Sequence, residues 1–245
     1  LTVDSAGNVV VAGIFFGTAD FDPGIATANL TSVGRADIFV AKLDSSGNYL
    51  WAKQIGGTDV DESGGIVVDS VDNILVTGTF SGTVDFDSGP GTANLTTSAI
   101  GGNTFVTKLD TDGAYVWAKQ FAGASQNRGF GIAVDDVDNV LITGIFYGTA
   151  DFDPESGAAN LSSNGSDDVF VAKLNSAGNY LWAKQFGGAG SDEGNGVAVD
   201  SANNILVAGA FFGTADFDPG AGTANLTSTG NSDTFVAKLD GAGNY

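Results

Sequence analysis

Gly65-Ile66-Val67-Val68-Asp69-Ser70-Val71-Asp72-Asn73-Ile74-Leu75-Val76-Thr77-Gly78-Thr79-Phe80 is the stretch that decides the fold. It reads as a short strand, a turn at Ser70–Asn73, and a second strand from Ile74 to Phe80 that begins apolar on both faces. Val9-Val10-Val11-Ala12 and Val140-Leu141-Ile142 are its counterparts. A continuous apolar run in a strand implies burial on both faces. A lone sheet cannot provide that, but sheets stacked face to face can.

Working outward, a segment from Ser81 to Gly102 carries Asp85-Phe86-Asp87 and Asn94-Leu95-Thr96. Thr104 to Leu109 reads as a third strand, Asp110-Thr111-Asp112-Gly113 as a turn, and Tyr115 to Phe121 as a fourth strand. The third strand alternates, with Phe39, Ala41 and Leu43 on one face and Val40 and Lys42 on the other. In the turns, a leading Asp or Asn can accept from backbone amides and a Gly supplies positive φ, as in Asp44-Ser45-Ser46-Gly47-Asn48 and Asn175-Ser176-Ala177-Gly178-Asn179. Each unit is therefore expected to be a four-stranded antiparallel meander with an insertion between its second and third strands.

The pattern recurs in register. Trp-Ala-Lys-Gln starts at Trp51, Trp117 and Trp182; Asp-Phe-Asp starts at Asp20, Asp85, Asp151 and Asp216; Phe-Val-(Ala/Thr)-Lys-Leu starts at Phe39, Phe105, Phe170 and Phe235. The period is about 65 residues, and such self-similarity marks a tandem array. The expected fold is all-β: a β-propeller, or a propeller-like array of four-stranded antiparallel blades. It forms a single repeat domain over 1–245, with blades near 1–57, 58–123, 124–188 and 189–245, the last lacking its fourth strand.

Composition narrows the function. Of 29 acidic residues only Glu62, Glu155 and Glu193 are glutamate, and aspartate favours turns and caps over helices. A net charge of −20 argues against nucleic acid, which demands a basic stripe. With no cysteine, histidine or methionine, thiolate and imidazole metal sites and His- or Cys-based catalysis are excluded. No apolar run approaches the ~18 residues that span a bilayer. The chain opens at Leu1 without a signal peptide, and reads as a mature or internal piece of a longer secreted chain.

Gly131-Ile132-Ala133-Val134-Asp135, then Asn139-Val140-Leu141-Ile142-Thr143-Gly144, with Asp168-Val169-Phe170-Val171-Ala172-Lys173-Leu174 downstream, resembles the bacterial SBBP β-propeller repeat. The resemblance implies blade-like repeats in large secreted or cell-surface proteins without established catalytic residues. The Asp-Phe-Asp insertion is longer than that repeat needs, and four units are fewer than the seven blades that the family's name suggests. Leu1 aligns with Ile66 inside a first strand, and Tyr245 with Tyr180 just before a Trp-bearing strand. An unfilled sheet edge attracts a partner strand, so self-association or docking of further repeats of the same protein is expected.

Four candidate chemistries follow. Asp20/Asp22, Asp85/Asp87, Asp151/Asp153 and Asp216/Asp218 put two carboxylates on one face of an extended segment. Such a pair could bind Ca2+ with a third carboxylate from Asp37, Asp168 or Asp233 (Asn103 in the second copy); the plainer reading is a solvated turn. A glycosidase carboxylate pair is disfavoured, because a catalytic site is made once and this one is copied four times. Asn29, Asn94, Asn160 and Asn225 head N-glycosylation tripeptides, or else lie in an edge strand whose Leu packs inward. Trp51, Trp117 and Trp182 could stack on sugars, but are better read as covering a neighbouring blade. The expected function is that of a non-catalytic, extracellular structural or assembly protein, a repeat segment of a bacterial surface or filament protein. The alternative is a glycan- or protein-binding propeller module of a secreted protein.

Overall fold

A computed structural model describes residues Leu1–Tyr245. The chain is all antiparallel β-sheet without a helix. The first unit contains β1 (Thr2–Val3), β2 (Val9–Phe15), β3 (Thr18–Asp20), β4 (Asn29–Thr31), β5 (Asp37–Leu43) and β6 (Tyr49–Ile55). Its main sheet has the order β1-β2-β5-β6, and β3 and β4 pair apart from it as a small hairpin. The second unit repeats this with β7 (Glu62–Val68), β8 (Ile74–Phe80), the hairpin β9 (Thr83–Asp85) and β10 (Asn94–Thr96), β11 (Asn103–Leu109) and β12 (Tyr115–Gln120). The third comprises β13 (Ala122–Gly123), β14 (Asn127–Val134), β15 (Val140–Phe146), the hairpin β16 (Thr149–Asp151) and β17 (Asn160–Ser162), β18 (Asp168–Leu174) and β19 (Tyr180–Gly188). In the fourth, β20 (Glu193–Val199) is followed by β21 (Ile205–Asp216) and β22 (Asn225–Leu239), which run through the hairpin without a break.

The doubly apolar strands do what their sequence requires. Each junction between successive units encloses one hydrophobic core, and middle units feed two. Ile74 and Val76 of β8 join Val10, Ile38, Val40 and Ile55 of the first unit, while Leu75 points the other way to Val140, Ile142 and Phe170 of the third. Likewise Leu141, Val169 and Val171 face Ile205, Val207 and Phe235 of the fourth unit. Strand alternation thus sends adjacent residues into different cores.

The hairpins anchor on the preceding unit. Gly56 bridges to Asp85, β13 pairs with β16 through Ala122↔Asp151 and Gly123↔Ala150, and β19 pairs with β21 through Gly187↔Asp216 and Gly188↔Ala215. The insertion that exceeds a minimal repeat is therefore a backbone clamp between neighbours.

Candidate functional site

The Asp-Phe-Asp motifs are organised around their phenylalanine. Phe86 and Phe152 are fully buried, each edge-on to the last residue of the second strand (Phe80–Phe86 5.7 Å, Phe146–Phe152 5.4 Å) and tilted against the third-strand Phe (Phe86–Phe105 5.1 Å, Phe152–Phe170 4.9 Å). Phe21 and Phe217 repeat the arrangement.

The flanking carboxylates part company, because the chain leaves the strand at the first Asp and turns. Asp85 Oδ1 accepts from the amides of Asp87 and Ala93, and Asp87 Oδ1 from that of Gly89. The same caps recur at Asp20 and Asp22, at Asp151 and Asp153, and at Asp216 and Asp218. Backbone amides hold Asp20 below the usual carboxylate range, Ala28 N–H first and Asp22 N–H second. No three carboxylates gather closely enough to share a metal ion, so Asp37, Asp168 and Asp233 do not complete a set with these pairs. Asn29, Asn94, Asn160 and Asn225 are exposed at the start of hairpin strands. The third residue of each tripeptide bonds across the hairpin: Thr31 to Thr18 at 2.8 Å, Thr96 to Thr83 at 2.9 Å, Ser162 to Thr149 and Thr227 to Thr214 at 2.8 Å.

A set of contacts that the sequence reading did not assemble lies at the junctions. Lys42, on the Val40 face of its strand, forms an ion pair with Asp4 at 2.8 Å and donates to the Thr111 carbonyl of the next unit at 3.2 Å. Lys108 joins Asp69 (2.8 Å) to the Ser176 carbonyl (3.4 Å), and Lys173 joins Asp135 (2.9 Å) to the Gly241 carbonyl (3.1 Å). All six charged side chains are buried. Burial opposes ionisation of Asp4, but Lys42 and Asn8 outweigh it and bring its pKa down to about 2.

The tryptophans serve the same docking. Trp117 Nε1 donates to the Ser176 carbonyl at 3.3 Å, and Trp182 Nε1 to the Gly241 carbonyl at 3.4 Å. Gly113, at φ 76°, lies so close to Trp51 and Lys53 that a Cβ there would come within 3.1 Å of the indole. On the same rim Asp72 and Asp138 adopt φ of 63° and 62°, a conformation that L residues other than Asn and Asp rarely take. Their carboxylates receive the amide and hydroxyl of Ser5 and Ser70 in the preceding unit. Asn203, at φ 60°, accepts from Asp136 N–H.

At the fourth unit the same surface lies open. Val40, Val106 and Val171 are 0, 1 and 0 % exposed, whereas Val236 is 72 % exposed. The Lys238 side chain, paired with Asp200 at 2.8 Å, is 56 % exposed and has no carbonyl from a successor. The largest concavities elsewhere are open grooves of about 430 Å³, lined by Ile100, Gln126 and Tyr147 among others, and about 390 Å³, around Leu30 and Gln54.

Residues 50–79 and 181–210 match the SBBP β-propeller repeat. The chain carries SBBP-type repeats. Each matched stretch runs from the Trp-bearing strand of one unit into the first two strands of the next, so the SBBP match straddles a junction. Over 264 residues the chain is 28 % identical to an uncharacterized WD repeat-containing protein, L264, of Acanthamoeba polyphaga mimivirus, covering 94 % of this chain and 19 % of that protein. It is also 24 % identical over 178 residues to the regulatory protein FlaEY of Caulobacter vibrioides, covering 71 % and 18 %. The chain spans about a fifth of the length of these relatives. No helix is long and apolar enough to cross a membrane.

Proposed function

We propose that the chain is a run of four propeller-blade units, the first three four-stranded antiparallel sheets and the fourth three-stranded, that serves as a non-catalytic structural segment of a longer extracellular protein and docks a further unit on its fourth. The observation that carries this reading is the open face of the fourth unit. Leu206, Val236 and Lys238 occupy the positions that the first three units use to receive a successor, and the lysine stands ready for a turn carbonyl. An exposed apolar face continuous in kind with three buried ones calls for the same occupant. The acidic surface supports an external setting, where high net charge keeps a long array soluble. Against the ligand-binding alternative, the two indole N–H groups at junctions are engaged by turn carbonyls rather than free for a sugar.

The test extends the chain after Tyr245 by a second copy of residues 181–245, which supplies the fourth strand and one further unit in register. In the chain as it stands, Val236→Asp leaves the melting temperature nearly unchanged, while Val171→Asp lowers it steeply. In the extended chain the two substitutions become equally damaging. If Val236→Asp stays harmless after extension, the fourth face does not receive a repeat.

A further inference from the structure

The three junctions share their core, lysine and hairpin clamp, yet differ together at three positions. The middle junction has Asn103, Ala122 and Asn127; the first has Asp37, Gly56 and Asp61; the third has Asp168, Gly187 and Asp192. All six Asp and Asn side chains belong to buried residues, at most 2 % exposed. In the middle, Asn127 Nδ2 donates to Asn103 Oδ1 at 2.9 Å, and Asn127 Oδ1 accepts from Thr104 N–H at 2.6 Å, so one side chain ties two units together.

The acidic junctions lack that tie. Asp61 accepts instead from the Gly57 amide of its own loop and from the Ser81 amide just past β8, and Asp192 from the Gly188 amide and from the Phe212 amide in β21. Asp37 Oδ2 is held by Val33 N–H and Gln54, and Asp168 Oδ2 by Asn164 N–H and Gln185, but Oδ1 of both aspartates is buried without any partner. The glycines make room for this arrangement: a Cβ on Gly56 would sit 2.3 Å from Asp37 Cγ, and one on Gly187 2.5 Å from Asp168 Cγ. What each acidic junction lacks, relative to the middle one, is a single hydrogen-bond donor.

We propose that the first and third junctions are proton-gated: uptake of a proton by the buried Asp37–Asp61 and Asp168–Asp192 pairs tightens them, whereas the Asn103–Asn127 amide holds the middle junction closed irrespective of pH. The proton comes from solvent and bonds to one carboxyl oxygen of each pair. It removes one of two neighbouring negative charges and supplies an O–H where no donor exists.

Burial and neighbouring charge oppose ionisation more strongly than the amide donors at Asp61 and Asp168 favour it. Asp59 and Asp167 add further negative charge on the loops, and Asp85 and Asp216 lie on the paired hairpin strands. No Lys or Arg is ion-paired with any of the four aspartates; Arg35 reaches Asp59 only through its backbone amide. Burial first, then the charges of Asp37 and Asp59, push Asp61 up to about 6; burial first, then Asp192 and Asp167, push Asp168 up to about 7; burial likewise raises Asp192. A raised folded-state pKa means that the stabilisation is complete below the unfolded value of 3.8 and is lost as pH rises through 6 to 7.

Amide hydrogen exchange on the intact chain at pH 5 and pH 8, corrected for intrinsic rates, tests this directly. Residues 56–62 and 187–193 are expected to open at least about tenfold more at pH 8, while residues 122–128 hold constant. A quadruple substitution, Asp37→Asn, Asp61→Asn, Asp168→Asn and Asp192→Asn, removes that difference. Equal pH response at all three junctions overturns the proposal, and so does a quadruple variant that keeps the wild-type response. Should that variant fail to fold, the comparison within the unmodified chain still decides. Neither readout depends on a fifth unit, so docking on the fourth face and proton gating succeed or fail separately.

Discussion

At the junction between the second and third units a side-chain amide bridges the two units; at the junctions on either side the corresponding oxygens, Asp37 Oδ1 and Asp168 Oδ1, receive no donor. All three places share the lysine that joins an aspartate of its own unit to a carbonyl of the next. The difference shows how little sequence separates a fixed contact from a titratable one. Changing Asn to Asp keeps the shape and removes the N–H. Glycine at 56 and 187 rather than alanine then accommodates a carboxylate that would otherwise strike a Cβ. Three positions must change together, which is why the two acidic junctions resemble each other more than either resembles the middle one.

The comparison can be broken most forcefully at its common part. Lys108→Met strands Asp69, 5 % exposed, without its cation, and should lower stability by about 3–5 kcal/mol in denaturant titration. Lys42→Met and Lys173→Met should cost as much if the three junctions share this device, whereas Lys238→Met on the open face should change little. Unequal losses at the three buried sites would mean that the amide or acid pair alters the staple as well.

A smaller effect converts one junction type into the other. Asn127→Asp removes the donor to Asn103 and adds a buried charge, for a loss of about 1–3 kcal/mol at pH 8 that is largely recovered at pH 5. A loss independent of pH would indicate that shape, not protonation, distinguishes the junctions.

The wild-type pH profile should be a dome. Melting temperature rises from pH 8 to pH 5 as Asp61, Asp168 and Asp192 take up protons, because their folded-state pKa values lie above the unfolded ones. Below pH 4 it falls, because Asp4, Asp69 and Asp135 have lowered folded-state pKa values and must be protonated before their lysine pairs release. A melting temperature that rises steadily from pH 5 to 8 would contradict the acidic limb. The smallest expected change is Ala122→Gly, which opens room that Asn103 does not use and costs about 0.5–1 kcal/mol through backbone freedom alone. Calorimetry would show it without altering the pH profile.

The repeat and its stacked antiparallel sheets were legible because apolar periodicity and turn chemistry are local. Val140-Leu141-Ile142 announces two buried faces, and Asp44-Ser45-Ser46-Gly47-Asn48 announces a bend. The sequence also named Asp-Phe-Asp as the conspicuous motif, but assigned its importance to the carboxylates on one face of an extended segment. The structure bends the chain at Asp85, spends the carboxylates on nearby amides and buries Phe86. The tripeptides headed by Asn29, Asn94, Asn160 and Asn225 lie in hairpin strands whose hydroxyls bond across the pair.

What the sequence alone determined, then, is the repeating unit and the fact that each unit needs neighbours, because a strand apolar on both sides cannot be satisfied within one sheet. Only the tertiary structure decided which residues meet across the gap. Lys108 bonds to Ser176 and Asn127 to Asn103, partners 68 and 24 residues apart. Their meeting depends on the twist and spacing of whole sheets, and so does the difference between a donor supplied by an amide and one left to a proton.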